Sequence, residues 1–151
     1  SLAAQMTVGD NPLPRSSGNS FFASSTEYFR WMVTNNVIDV TFAFFSAPGL
    51  ASYKGIEPEN FLPEHNAWCI TTDINEGSRN SMPLFFTRNM NITSLSDPAK
   101  SALTEEPPFG LQGVVVVAKG GHAYLLKPEN LADQFNPFDA KNPVLRPEAT
   151  K

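Results

Sequence analysis

The sequence predicts an α+β fold, one amphipathic helix packed on a small antiparallel sheet, and three observations carry that prediction. Between residues 20 and 36 apolar side chains recur at helical spacing. Residues 113–119 and 122–126 are apolar runs joined around Gly120-Gly121, the pattern of a β-hairpin. Between these segments lie two shorter strand candidates, residues 67–73 and 83–87, separated by turn-forming residues 75–82.

Taken in order, residues 1–19 open with Leu2-Ala3-Ala4-Gln5-Met6 and turn polar through Gly9-Asp10-Asn11-Pro12, which reads as the end of a helix followed by a loop. In residues 20–36, Ser24 and Glu27 have capping-box spacing, in which each side chain satisfies an orphan amide at the helix start, with Asn19 or Ser20 the alternative caps of a longer helix. Phe22, Tyr28, Phe29, Met32 and Val33 share one arc, while Glu27, Arg30 and Thr34 face away and Trp31 falls outside the arc. Residues 37–45 fit a helix or a strand, because β-branched and aromatic residues favour a strand in a run this short. Residues 51–65 carry Gly55, Pro58 and Pro63 and read as a connecting loop, as do the polar, proline-punctuated residues 89–108. Gly120-Gly121 suits a type I′ turn, which needs positive φ at both central positions. Pro128 opens a short helix, with Leu131 and Phe135 on one face. Residues 136–151 read as a proline-rich tail, flexible from about residue 139.

At 151 residues the chain is expected to form a single domain able to bury its own core. Twelve Phe against three Tyr and two Trp point to aromatic packing. A net charge of −4 without any basic run argues against a nucleic-acid surface, since phosphate binding needs clustered Lys and Arg. Cys69 is the sole cysteine, so no intramolecular disulfide forms, and its neighbours Trp68 and Ile70 mark it as a buried thiol. No apolar stretch approaches the ~20 residues that cross a bilayer. The chain starts at Ser1 rather than Met, as a processed or trimmed form would.

Catalytic signatures are weak. His65 and His122 are the two histidines, and neither lies near a Gly-x-Ser-x-Gly elbow. The adjacent or alternating carboxylates Glu105-Glu106 and Glu57/Glu59 fall in proline-rich loops, where solvated charge is the simplest reading. Asp73-Ile74-Asn75-Glu76-Gly77 is superficially like a calcium loop, but the ligand pattern fails at Gly77, and a turn between strands fits better. No catalytic, cofactor or metal residue is therefore assigned, and the expectation is a non-enzymatic protein.

Three passages carry a family resemblance. Tyr28-Phe29-Arg30-Trp31-Met32-Val33-Thr34-Asn35-Asn36 leads into Phe44-Phe45-Ser46-Ala47-Pro48-Gly49. Asn66-Ala67-Trp68-Cys69-Ile70 is followed by Met82-Pro83-Leu84-Phe85-Phe86-Thr87, and the run from Val114 ends Lys119-Gly120-Gly121-His122-Ala123-Tyr124-Leu125. In this order, over residues 28–126, they resemble the prepilin-type pseudopilins of type II secretion and type IV pilus systems, most closely those of planctomycete- and verrucomicrobia-like bacteria. The resemblance implies a pilin-like head whose hydrophobic N-terminal helix is missing here, with residues 1–6 as its stub. It implies a structural subunit that assembles with other pilin or pseudopilin subunits and with the secretion or pilus machinery. Such a subunit would be anchored in the inner membrane through the missing helix, with a periplasmic head, or displayed in a filament at the cell surface. Trp31 and Met82 are the candidate interface residues. Some major pseudopilins bind calcium, but the resemblance places no calcium ligand on this chain. Gly120 stands where the family usually has Asp. The alternative function is a cell-surface binding module, an adhesin recognising glycan or host protein, and a small hydrolase using His65 or His122 is the third reading.

Overall fold

The computed structural model describes residue 14, residues 22–135 and residues 140–148. Its centre is a five-stranded antiparallel sheet of β1 (Trp68–Thr71), β2 (Pro83–Thr87), β3 (Val114–Ala118), β4 (Ala123–Leu126) and β5 (Val144–Leu145), in the order β4-β3-β2-β1-β5. The long helix α1 (Ser25–Thr34) lies on one face, and the short α2 (Leu131–Gln134) belongs to the layer on the other. The α+β expectation, a helix packed on a small antiparallel sheet, is what the chain adopts. Residues 1–13, and with them the expected helix stub, lie outside the described residues.

Strand alternation sorts the core into two clusters. Ile70 pairs with Phe85 and faces α1, where Tyr28, Phe29, Met32, Phe42, Phe45 and Phe61 complete an aromatic cluster. Phe29 stacks on Phe45 with centroids 4.3 Å apart, and Phe42 stacks on Phe61 at 4.9 Å. Cys69 pairs with Phe86 and faces the other way, against Val114, Val116, Leu126, Val144 and the apolar side chains of the 90–99 connection. That connection is irregular, as expected, yet it buries Met90, Ile92, Leu95 and Ala99. It therefore forms part of the second layer.

Helix α1 is shorter than its apolar pattern. Ser24 takes extended backbone angles and its hydroxyl accepts from the Glu27 amide at 3.1 Å, so the helix starts there. Glu27 reaches back one residue further than a capping box would, to the Ala23 amide. Phe22 stands before the helix and packs edge-on against Tyr28. At the other end Asn36 has φ +55°, which stops the helix.

Three expectations are corrected. Residues 37–45 form neither strand nor α-helix. They end in a 3₁₀ turn, Phe42–Phe45, whose three-residue repeat buries Phe42 and Phe45 together and leaves Phe44 exposed. The β3–β4 turn is not type I′, because only Gly121 has positive φ, at +101°. The Gly121 amide bonds the Ala118 carbonyl and the Ala118 amide bonds that of His122, a three-residue loop with the left-handed residue last. Gly120 instead packs on Asn80 and donates to its carbonyl. Finally, the stretch read as a flexible tail supplies β5. Pro143 accepts from Thr72, Val144 donates to Thr93 and Leu95 donates to Asn142, so residues 142–145 are held between β1 and the 93–95 segment. Residues 139 and 149–151 lie outside the described residues.

Candidate functional site

Among the described residues, the ion pairs gather where α1, β1, β2 and the β5 segment converge. Asn66 starts the junction. Its side-chain amide donates to the hydroxyls of Ser25 (2.9 Å) and Thr26 (3.1 Å), and its oxygen accepts from the Trp68 amide at 3.0 Å. Ser25 donates onward to the Trp68 carbonyl, and Thr26 to that of Pro147. The Ser25 amide, an orphan of the first helical turn, finds the Arg146 carbonyl at 2.8 Å. One buried amide thus joins the helix start to β1, and the two helix hydroxyls extend the join to β1 and the β5 segment.

Two arginines sit beside this junction. Arg88, which follows β2, donates to the carbonyls of Pro63 (2.8 Å) and Asn66 (3.1 Å) and pairs with Glu106 and Glu148. Arg146, which follows β5, donates to the carbonyls of Met90 (2.8 Å) and Arg88 (3.0 Å) and lies 3.8 Å from Glu106. Both guanidiniums are nearly buried, whereas Glu106 and Glu148 are about half exposed. The strong donors are therefore directed at main-chain carbonyls, with the carboxylates as an outer rim.

Cys69 lies under this pair, fully buried, with Arg146 donating to its sulfur at 3.6 Å. Burial pushes the thiol up to about 12, against the opposing pull of Arg146 and Arg88. At neutral pH it is a protonated core group, not a nucleophile. On another part of the sheet, Lys119 uses its ammonium in the same way as the arginines. It donates to the carbonyls of Glu76 (3.0 Å) and Ser78 (2.7 Å) and thereby fixes the 73–82 connection.

The residues singled out from the sequence are dispersed. Trp31 is half-buried, tilted against Phe22 and stacked on Tyr28 at 6.0 Å, at the margin of the aromatic cluster. Met82 is half-buried where both core clusters meet. His65 accepts from the Leu62 amide through Nδ1 and stacks on Tyr53, whereas His122 stacks on Tyr124 beside the hairpin turn. The structure does not bring the two histidines into one site. Asp73 has φ +62° and the Asn75 side chain accepts from the Gly77 amide, so this stretch is an Asx-type turn. Among the described residues no group of three or more His, Cys, Asp or Glu is placed to hold a metal ion. Nor is any helix among them long and apolar enough to cross a membrane.

Of the carboxylates, Glu106 enters the arginine cluster, while Glu57 accepts from the Tyr53 hydroxyl at 2.9 Å, which holds its carboxyl below the usual range. The arginine junction itself was not legible in advance. Arg88 lies 18 and 60 residues from its two carboxylate partners, and no local pattern connects them. Comparison with family models, with characterised proteins and with solved structures found no match.

Proposed function

We propose that this chain is a structural subunit, the head of a pilin-like protein of a type IV pilus or type II secretion pseudopilus, working through protein–protein contacts. One observation carries the reading. The side chains with the greatest chemical reach, Arg88, Arg146 and Lys119, donate to main-chain carbonyls of the loops, and Cys69 is sealed protonated beneath the arginines. Such an arrangement stiffens long connections on a small sheet, which is what a load-carrying subunit requires. The order of elements supports the same reading: α1, the two central strands and the glycine hairpin follow one another as the family resemblance expects.

Fractionation of the native host tests it. Antibody against this chain should find the full-length product in the inner-membrane fraction or in filaments sheared from the cell surface. Recovery of the whole pool as a monomer in the cytosolic fraction would overturn the proposal.

A further inference from the structure

Ile56 is the most exposed large apolar side chain among the described residues, at 84%. Single exposed apolar residues are ordinary on protein surfaces. This one is set on a fixed turn. The Tyr53 hydroxyl accepts from the Glu57 amide at 3.0 Å and donates to its carboxylate. Gly55 lets the chain wrap so closely that a Cβ there would lie 2.4 Å from the Tyr53 hydroxyl oxygen. Tyr53 is itself stacked against His65 and packed on Phe42. The tip carries Lys54, Glu57 and Glu59, all exposed, with negative charge in excess.

An apolar cavity with a basic rim lies in the layer on the opposite face of the sheet. It measures about 410 Å³, is open to solvent, and is lined by Leu95, Pro98, Ala132 and Ala140 with Ser96, Lys100 and Lys141. Neither lysine has an ion-pair partner among the described residues. Nearby Asp97 accepts from the Thr93 and Ser94 amides. Tyr53 at the base of the tip packs on the aromatic cluster, whereas Leu95 and Ala140 of the cavity pack with the second cluster, so the sheet separates tip and cavity within one molecule.

We infer that Ile56 of one copy seats in the Leu95–Ala132–Ala140 cavity of the next, with Glu57 and Glu59 facing Lys100 and Lys141. The partner is a second copy because the acidic, apolar tip and the lysine-rimmed apolar cavity are opposite in charge and lie on opposite sides of the sheet, out of each other's reach within one molecule. Joining unlike surfaces makes the contact heterologous, and such a contact propagates unless its rotation closes a ring. The patch is small, so each contact is weak and salt-sensitive. The inference rests on the proposed role as an assembling subunit, and it names the surfaces through which assembly proceeds.

Disulfide trapping in the full-length protein tests it. Ile56→Cys and Ala132→Cys variants are purified separately, and buried Cys69 does not compete. On mild oxidation the mixture should form a heterodimer at least tenfold faster than Ile56→Cys mixed with Ser81→Cys, and a Lys100→Glu/Lys141→Glu background should abolish that excess. Equal rates in the two mixtures would overturn the inference while leaving the subunit role standing, provided the host fractionation places the protein in membrane or filament. A cytosolic monomer would remove both.

Discussion

Replacing Arg88 with alanine separates two sources of stability at the junction of α1 and the sheet. Its guanidinium serves two carbonyls, Pro63 and Asn66, and two half-exposed carboxylates, Glu106 and Glu148. Hydrogen bonds to charged groups contribute about 1.5–3 kcal/mol, and a buried acceptor left unsatisfied costs about 1–3 kcal/mol. Loss of both carbonyl bonds, of which the Pro63 carbonyl still keeps the Asn66 amide as a donor, puts Arg88→Ala at about 3–5 kcal/mol. Glu148→Ala removes one ion pair on the solvent side and Glu106→Ala removes two, each pair worth about 0.5–1 kcal/mol after screening. Against a total stability of ~5–15 kcal/mol, Arg88→Ala is a severe change and the glutamate variants are mild. Urea unfolding at neutral pH, with the slope of the transition held common, reads the difference as a shift of midpoint. If Glu148→Ala shifts the midpoint as far as Arg88→Ala does, the energy lies in the ion pairs and the carbonyl argument is wrong.

Three further outcomes are expected. Folded Cys69 keeps its proton up to about 12 while the unfolded thiol loses it near its ordinary value, so the unfolded state binds fewer protons above about pH 9. Stability should therefore fall by up to about 1.4 kcal/mol per pH unit from this group alone, and Cys69→Ala should show a shallower decline in urea midpoints between pH 8 and 10. At Gly113 an added Cβ would stand 2.6 Å from the Leu126 carbonyl oxygen, so Gly113→Ala should cost about 1–3 kcal/mol and speed amide exchange across the β3–β4 pairing. Ser24→Ala removes the helix cap and should cost about 1 kcal/mol by thermal or urea unfolding, with Ser24→Asp close to wild type.

The elements that were legible in the sequence are those whose signal is local. Ser24 and Glu27 mark the start of α1 within three residues of each other, and the apolar runs of β2, β3 and β4 are each bounded by turn residues that act on the adjacent backbone. β5 was hidden because it is two residues long, lies between Pro143 and Pro147, and takes its hydrogen bonds from Thr72 and Thr93, far along the chain. Residues 37–45 misled for a related reason. Their β-branched and aromatic content suits a strand, but stacking of Phe42 on Phe61 and Phe45 on Phe29 selects a 3₁₀ turn that places both rings inward. Gly120-Gly121 marked the turn correctly and its type wrongly, since contact with Asn80 sets the conformation at Gly120. The burial of Cys69 followed from its apolar neighbours, whereas the arginines above it required the tertiary structure.

The most direct test of assembly through the opposite faces of the head is amine-reactive cross-linking in the native host. Light- and heavy-isotope copies of the full-length protein are co-expressed, and mixed-isotope peptides identify links between copies. Copies that meet as proposed should give inter-copy links from Lys54, beside the Ile56 tip, to Lys100 and Lys141 at the cavity rim. Protein that yields intramolecular links in good quantity but no inter-copy link at any lysine would contradict the proposed assembly.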